Sequence, residues 1–253
     1  MAKESGLGQE FYFDGVDLSG DTGSAQSIKG GLTTVLPVAG INRLAHERIG
    51  GGRDGSLTWQ SWFNPALGQS HKTLSTLPYT DRVGSWVHRP VLGGSAACIV
   101  GKQSNYDGTR EANGNFPFAI QVLGNQFGLE WTDQLTAGLD VFSGTGAGTG
   151  LDYGAAIGTT AFGLQAYLQV NAFTGANATV TIQHSQDNGA GDAYTNVTGG
   201  AFAQITTAPG SQRIQTSRTE SIERWLRINI TGTFSSLTIA VFVLKNLVAT
   251  VVP

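Results

Sequence analysis

Residues 222–230, IERWLRINI, put Ile222, Arg224, Leu226, Ile228 and Ile230 on one face of an extended chain and Glu223, Trp225, Arg227 and Asn229 on the other. A period of two is the signature of a strand with one face in a core. The same period recurs on both sides. Upstream, Leu164, Ala166, Leu168, Val170 and Ala172 alternate with Gln165, Tyr167, Gln169, Asn171 and Phe173, and ATVTIQHSQ follows with Val180 and Ile182 on one face. Shorter runs appear at AYTNV, AFAQIT and QRIQTS, and LTIAVFVLK lies downstream. About seven short strands without a helical stretch predict an antiparallel β-sandwich over residues 161–253.

Residues 143–160, SGTGAGTGLDYGAAIGTT, precede this region and hold almost nothing able to build a core. Glycine and small residues dominate, so they are expected to form a flexible linker. Residues 1–142 make a second region, also mostly β. GSLTWQSWF alternates, and strands are expected again at DRVGSWVHR, AACIVGKQ and NFPFAIQVLG. One helix interrupts them. Asn64 suits an N-cap and Pro65 a first helical turn. Leu67, Ser70 or His71, Leu74 and Leu77 recur at helical spacing until Pro78, which predicts a helix over 65–77 with one stripe on a sheet.

Composition narrows the function. The chain has 253 residues, 13% of them charged, a net charge of −3 and 36 glycines, about twice the usual share. No basic face for gripping nucleic acid is expected from this balance. The single cysteine, Cys98, sits in the apolar run AACIV and reads as a buried, inert thiol. No signal core precedes the first strand, and the apolar tail is broken by Lys245 and Asn246, so no membrane segment is expected.

Patterns that would carry chemistry fail one by one. Gly50, Gly52 and Gly55 match the spacing of a dinucleotide-binding turn, but they lead into a strand rather than a helix, and no acidic residue occurs between Asp54 and Asp81 to hold a ribose. His46-Glu47 begins a zinc-protease motif whose second histidine is replaced by Gly50. The four histidines have no metal-ligand spacing, and neither a nucleophile elbow nor a phosphate loop is present. No catalytic, cofactor or metal site is expected, and a binding or structural protein is the better reading. Residues 39–55 then become a long charged loop between strands, whose His46, Glu47, Arg48, Arg53 and Asp54 either make salt-bridged contacts with another molecule or form a solvated hairpin tip.

Two stretches, AKESGLGQEFYFDGVDLSGD and INRLAHERIGGGRDGSLTWQSWFNPALGQSHKTLSTLP, resemble the major tail tube proteins of long-tailed, siphovirus-type phages of actinobacteria. GLQAYLQVNAFTGANATVTIQHSQDN and ERWLRINITGTF resemble the accessory β-domain carried by such proteins. The resemblance implies a tail-tube β-sandwich or half-barrel over 1–142, flanked by the helix. It implies hexameric rings of this chain, stacked around a lumen that conducts DNA without reading its sequence. The loop holding Arg43, His46, Glu47, Arg48, Arg53 and Asp54 would contact the next ring, and residues 161–253 would decorate the outside. Partners would be other copies and the tape measure, tail terminator and distal tail proteins, in a virion assembled in the host bacterial cytoplasm. The alternative is a phage carbohydrate-binding or capsid-decorating module, in which Tyr167, Tyr194 and Trp225 stack on sugar rings.

Overall fold

In the computed structural model, which describes residues 5–249, the chain is mainly β, as expected. In the first region the strands are β1 (Glu10–Phe13), β2 (Val16–Asp17), β3 (Thr22–Leu32), β4 (Val35–Val38), β5 (Glu47–Gly50), β6 (Arg53–Trp62), β7 (Arg82–Val87), β8 (Ser95–Gly108) and β9 (Pro117–Gln134). A short helix, α1 (Ser70–Leu74), lies between β6 and β7. Then come β10 (Asp140–Phe142), β11 (Gly146–Ala147), β12 (Leu151–Asp152), β13 (Leu164–Ser185), β14 (Thr195–Ala201), β15 (Gly210–Gln215) and β16 (Trp225–Lys245). All but β4 and β5 belong to one branched antiparallel sheet, whose main path runs β14-β13-β16-β9-β8-β7-β1-β2.

The second region is built from fewer and longer strands than its sequence suggests. LQAYLQVNAF and ATVTIQHS fuse into β13, and WLRINI, the later part of IERWLRINI, fuses with LTIAVFVLK into β16; the two pair from Leu164↔Lys245 to Ser185↔Trp225. The polar stretches between the runs do not turn the chain back. They form bulges, with register shifts near Val170/Ala172 and around Gly175. A bulge bends a strand without ending it. Gly232, at φ +132°, sits where a Cβ would lie 2.4 Å from the Asn177 carbonyl oxygen, so the bend requires glycine there.

The alternation of IERWLRINI is real: Ile222, Leu226, Ile228 and Ile230 are buried in a core with Val180, Ile182, Leu237, Ile239 and Val241. The AVFVL run behaves differently. Ala240 and Phe242 point away from that core and pack with Tyr167 against Tyr12, Val83, Val87, Ala96 and Cys98 of the first region. A strand buried on both faces reads as continuously apolar. The seam between the regions is therefore a core in its own right, closed by backbone pairing of Phe242 with Gln134 and Val243 with Asp133. Cys98 is buried in it, its thiol pushed up to about 12 by desolvation.

Two expectations are corrected. Residues 143–160 are not a free tether. β11 pairs Ile230 and Asn229, and β12 pairs Leu226 and Trp225, both along β16, while Thr160 bridges Ile222. Backbone hydrogen bonds order this segment where side chains offer little to pack. The helix is also shorter than 65–77. Gly68, at φ +73°, breaks the first turn, and the Asp21 carboxylate accepts the Ser70 amide N–H at 2.9 Å. Only Ser70 and Leu74 of the stripe are buried, and Leu67 is 93% exposed.

Candidate assembly surface

β3 and β6 pair from Thr22↔Ser61 to Leu32↔Arg53, and the chain between them does not turn back at once. It continues as a two-stranded arm in which β4 and β5 pair from Val35↔Gly50 to Val38↔Glu47, joined to the root by hydrogen bonds between Thr33 and Gly52 and between Thr34 and Gly51. The arm has no core behind it. Every residue from Leu36 to Gly50 is exposed. Ile41 and Leu44 at the tip are 110% and 109% exposed, and Val35, Leu36, Val38 and Ile49 also face solvent. Large apolar side chains collected on one protrusion mark a contact surface.

The residues expected to make contacts divide between two places. Arg43, His46, Glu47 and Arg48 lie on the arm, with Arg43 and Glu47 paired at 3.6 Å. Arg53 and Asp54 lie at the root, opposite Leu32 and Gly31 in the main sheet. The loop's charged residues mark it in the sequence, and its exposed apolar side chains mark it in the structure. Their signal was the run VLPV at 35–38, which has no polar alternation and no core to enter. The glycine spacing also has a structural reason. A Cβ on Gly55 would lie 2.3 Å from the Leu129 amide nitrogen, so bringing β6 up to the irregular stretch of β9 near Gly128 requires glycine.

Beside the arm root, β3, β6, the first half of β9 and the second half of β8 form four neighbouring strands. Their core face carries Ala25, Trp59, Ile120 and Tyr106 in one row and Ile28, Leu57, Val122 and Gln103 in the next. On the opposite face, one row reads Ser27, Thr58, Gln121 and Asn105, and another Ser24, Gln60, Ala119 and Asp107. That second face is therefore rich in hydroxyl and amide groups. Both outer edges of the set are open among the described residues. β3 pairs only with β6, and β7 pairs with β8 only as far as Gly101, leaving one edge of Lys102–Gly108 without a strand.

The three aromatic residues expected on the outside are not equivalent. Tyr167 is fully buried, and its hydroxyl donates to Glu130, which corrects its proposed role on a sugar. It was assigned to the surface because alternation suggested one solvated face, whereas both faces of β13 are covered there. Tyr194 and Trp225 do come together, on either side of Gly150, where a Cβ would meet both. The Arg227 guanidinium already covers the Tyr194 ring at 3.8 Å. Among the described residues, no group of three His, Cys, Asp or Glu side chains is placed to hold a metal ion, and no helix is long and apolar enough to cross a membrane.

No family model and no curated protein matches the chain. Among solved structures, it is similar to the Dit (gp 19.1) protein of phage SPP1, described as a hub adsorption apparatus of phages infecting Gram-positive hosts, at 9% identity and a TM-score of 0.35, over 94% of this chain and 99% of that one. The baseplate of phage p2 in its activated conformation with Sr follows at 8% identity and a TM-score of 0.33, over 94% and 98% of the two chains. The same baseplate with Ca gives 8% and 0.31, over 95% and 99%. Scores and identities this low carry neither fold nor role across to this chain.

Proposed function

We propose that the chain is a structural subunit of a phage tail that closes into rings and stacks as a tube around a DNA-conducting lumen. The observation that carries this reading is the pair of open edges on the four-stranded set. β3 is antiparallel to β6, β6 to β9 and β9 to β8, so β3 and β8 run in opposite directions. In a ring of identically oriented copies, the β8 edge of one copy would meet the β3 edge of the next with the same antiparallel alternation. Each interface would satisfy two rows of backbone groups that a lone copy leaves to water, and closure would remove the edges.

Two further features support the reading. The hydroxyl- and amide-rich face would line the channel, where clustered Lys and Arg would hold phosphate and stall passage. The next row of that face carries Lys29 and Lys102 at its two ends, flanking Ser56 and Leu123, and Lys102 is paired with Asp81 at 2.8 Å, so the face holds two separated lysines rather than a cluster. The arm would supply the axial contact, burying Ile41 and Leu44 in the adjacent ring. Hexameric closure follows the resembled family, as do the tape measure, terminator and distal tail partners. The rival module reading loses Tyr167. Negative-stain microscopy of the purified chain tests the proposal: rings or tubes are expected, and monomers at every concentration would overturn it.

A further inference from the structure

The two open edges of the four-stranded set carry few charges. β3 holds a single charged residue, Lys29, which is exposed and has no ion-pair partner among the described residues. On β8, the stretch from Lys102 to Gly108 holds Lys102, already paired with Asp81, and Asp107, an exposed carboxylate that accepts a 2.7 Å bond from the Asn105 side-chain amide. All three lie on the hydroxyl- and amide-rich face. Asp107 shares a row with Ser24, and Lys102 shares one with Lys29. A flat continuation from one copy to the next would therefore set Lys102 against Lys29 of the next copy, and like charges directly opposite each other are destabilising.

Barrels are not flat. Strands tilt by about 36° when the register shifts by about one residue per strand, so a four-stranded copy shifts it by about four residues, or two same-face positions. The ladder fixes the direction of the shift. Thr109 N–H donates to the Pro117 carbonyl, so by antiparallel alternation Asp107 bonds inward to Ala119 and Tyr106 turns its amide and carbonyl out of the open edge. An L-residue whose side chain faces the viewer and whose backbone polar groups point right belongs to a strand running upward. Viewed from the core face with β3 at the left, β8 therefore runs up and β3 runs down. Right-twisted strands wind round a barrel as a right-handed screw, so a row falls as it passes to the right. It meets the next β3 lower down, which is later in its sequence. Two same-face positions after Ser24 stands Lys29.

We infer that Asp107 of one copy pairs with Lys29 of the next across the ring interface, on the channel face, and that this pair sets the register in which copies join. By the same alternation Lys29 bonds inward to Ser56, so the two meet as a non-hydrogen-bonded pair, in which side chains approach closest. The shift also carries Lys102 away from Lys29. An exposed ion pair adds little affinity, so its part is selection: it favours the tilted register over the flat one. The pairing presupposes the ring proposed above but not the number of copies in it, because the shift belongs to each strand.

Cysteine pairs in the full chain test the register, with Cys98 too buried to interfere. Lys29→Cys combined with Asp107→Cys should give a disulfide-linked ladder on a non-reducing gel after mild oxidation of assembled rings, and Lys29→Cys combined with Lys102→Cys should stay monomeric. Negative-stain microscopy of the same samples confirms the rings. In a second measurement, Asp107→Lys should raise the concentration needed for assembly about threefold or more, and adding Lys29→Glu should restore it; this charge reversal decides the matter where the cysteine variants do not assemble. Rings in which the first cysteine pair stays unlinked, a ladder from the second pair in its place, or a paired reversal that fails to restore assembly overturns the pairing and leaves the ring standing. Absence of rings from the parent chain overturns both.

Discussion

Two long antiparallel pairs in this chain, β13–β16 and β3–β6, meet opposite fates. β13 and β16 pair along nearly their full length, and the halves nearest the first region are buried on both faces. β3 and β6 bury one face of β6, leave most of β3 in solvent and run on into an arm with no core at all. One pair is complete within a single copy. The other presents unpaired backbone and bare apolar side chains, the state of a surface made for another molecule. Stability and assembly should therefore separate in this protein, and three measurements probe how cleanly.

The largest effect is expected at the seam that joins the two pairs. Glu130 and Arg213 are almost wholly buried and make a bidentate contact, reinforced by Tyr167 and by Phe127 beneath the guanidinium at 3.8 Å. Glu130→Ala leaves a buried cation without its partner and should cost about 3–5 kcal/mol in denaturant unfolding. Combining Glu130→Leu and Arg213→Met with Tyr167→Phe, which removes the hydroxyl that bonds to both, should recover most of that loss, because apolar groups of similar volume can replace a buried ion pair. A small loss in the single variant would mean that water reaches the pair and the seam is no core.

The same substitution made once in each pair gives the next contrast. Ile228→Ala, in the β13–β16 core, should cost about 2–5 kcal/mol. Ile41→Ala, at the arm tip, should change unfolding by less than about 0.5 kcal/mol. In the polymerisation assay the ranking should invert: at temperatures where both variants are folded, Ile228→Ala should still assemble and Ile41→Ala should stop at single rings. Tubes of normal length from Ile41→Ala would remove the arm from the axial contact.

The legibility of the sequence follows the same division. IERWLRINI announced its strand and its buried face because one side of β16 there is solvated, and period two survives only under that condition. Tyr167 was misplaced for the converse reason: both sides of β13 are covered by partners distant in sequence, and nothing local records this. The segment 143–160 looked like a tether because its order comes from backbone hydrogen bonds to β16, which composition does not show. The helix stripe failed because Gly68 and the distant Asp21 decide where α1 begins. The arm was found through its charges, although its exposed apolar residues are its more informative feature. The match of Lys29 with Asp107 gave no signal at all, since it exists only once the strands are in register.

The smallest expected effect concerns Lys245, which seemed in the sequence merely to interrupt an apolar tail. It is 2% exposed, and its ammonium donates to the carbonyls of Gly158 and Glu223 at 2.6 and 2.7 Å, tying the end of β16 to the segment once expected to be loose. Burial lowers its pKa to about 8, with Glu223 opposing the shift. In the unfolded chain the same amine titrates near 10.5. Between these values the unfolded state binds more protons, so the folded state gains stability as pH rises, on the order of 1 kcal/mol from pH 8 to about pH 9. The gain should end near pH 9, because the buried Cys98 thiol stays protonated in the folded protein while the unfolded one ionises there. Tyr12, Tyr153 and Tyr167 are held protonated by burial in the folded protein, so above that pH the unfolded state is favoured as it ionises. Unfolding midpoints measured from pH 7 to 11 should trace this rise and fall, and Lys245→Met should flatten the rise while leaving the fall. An unchanged rise in the variant would assign the alkaline gain to another group and would leave Lys245 as a tie without electrostatic cost.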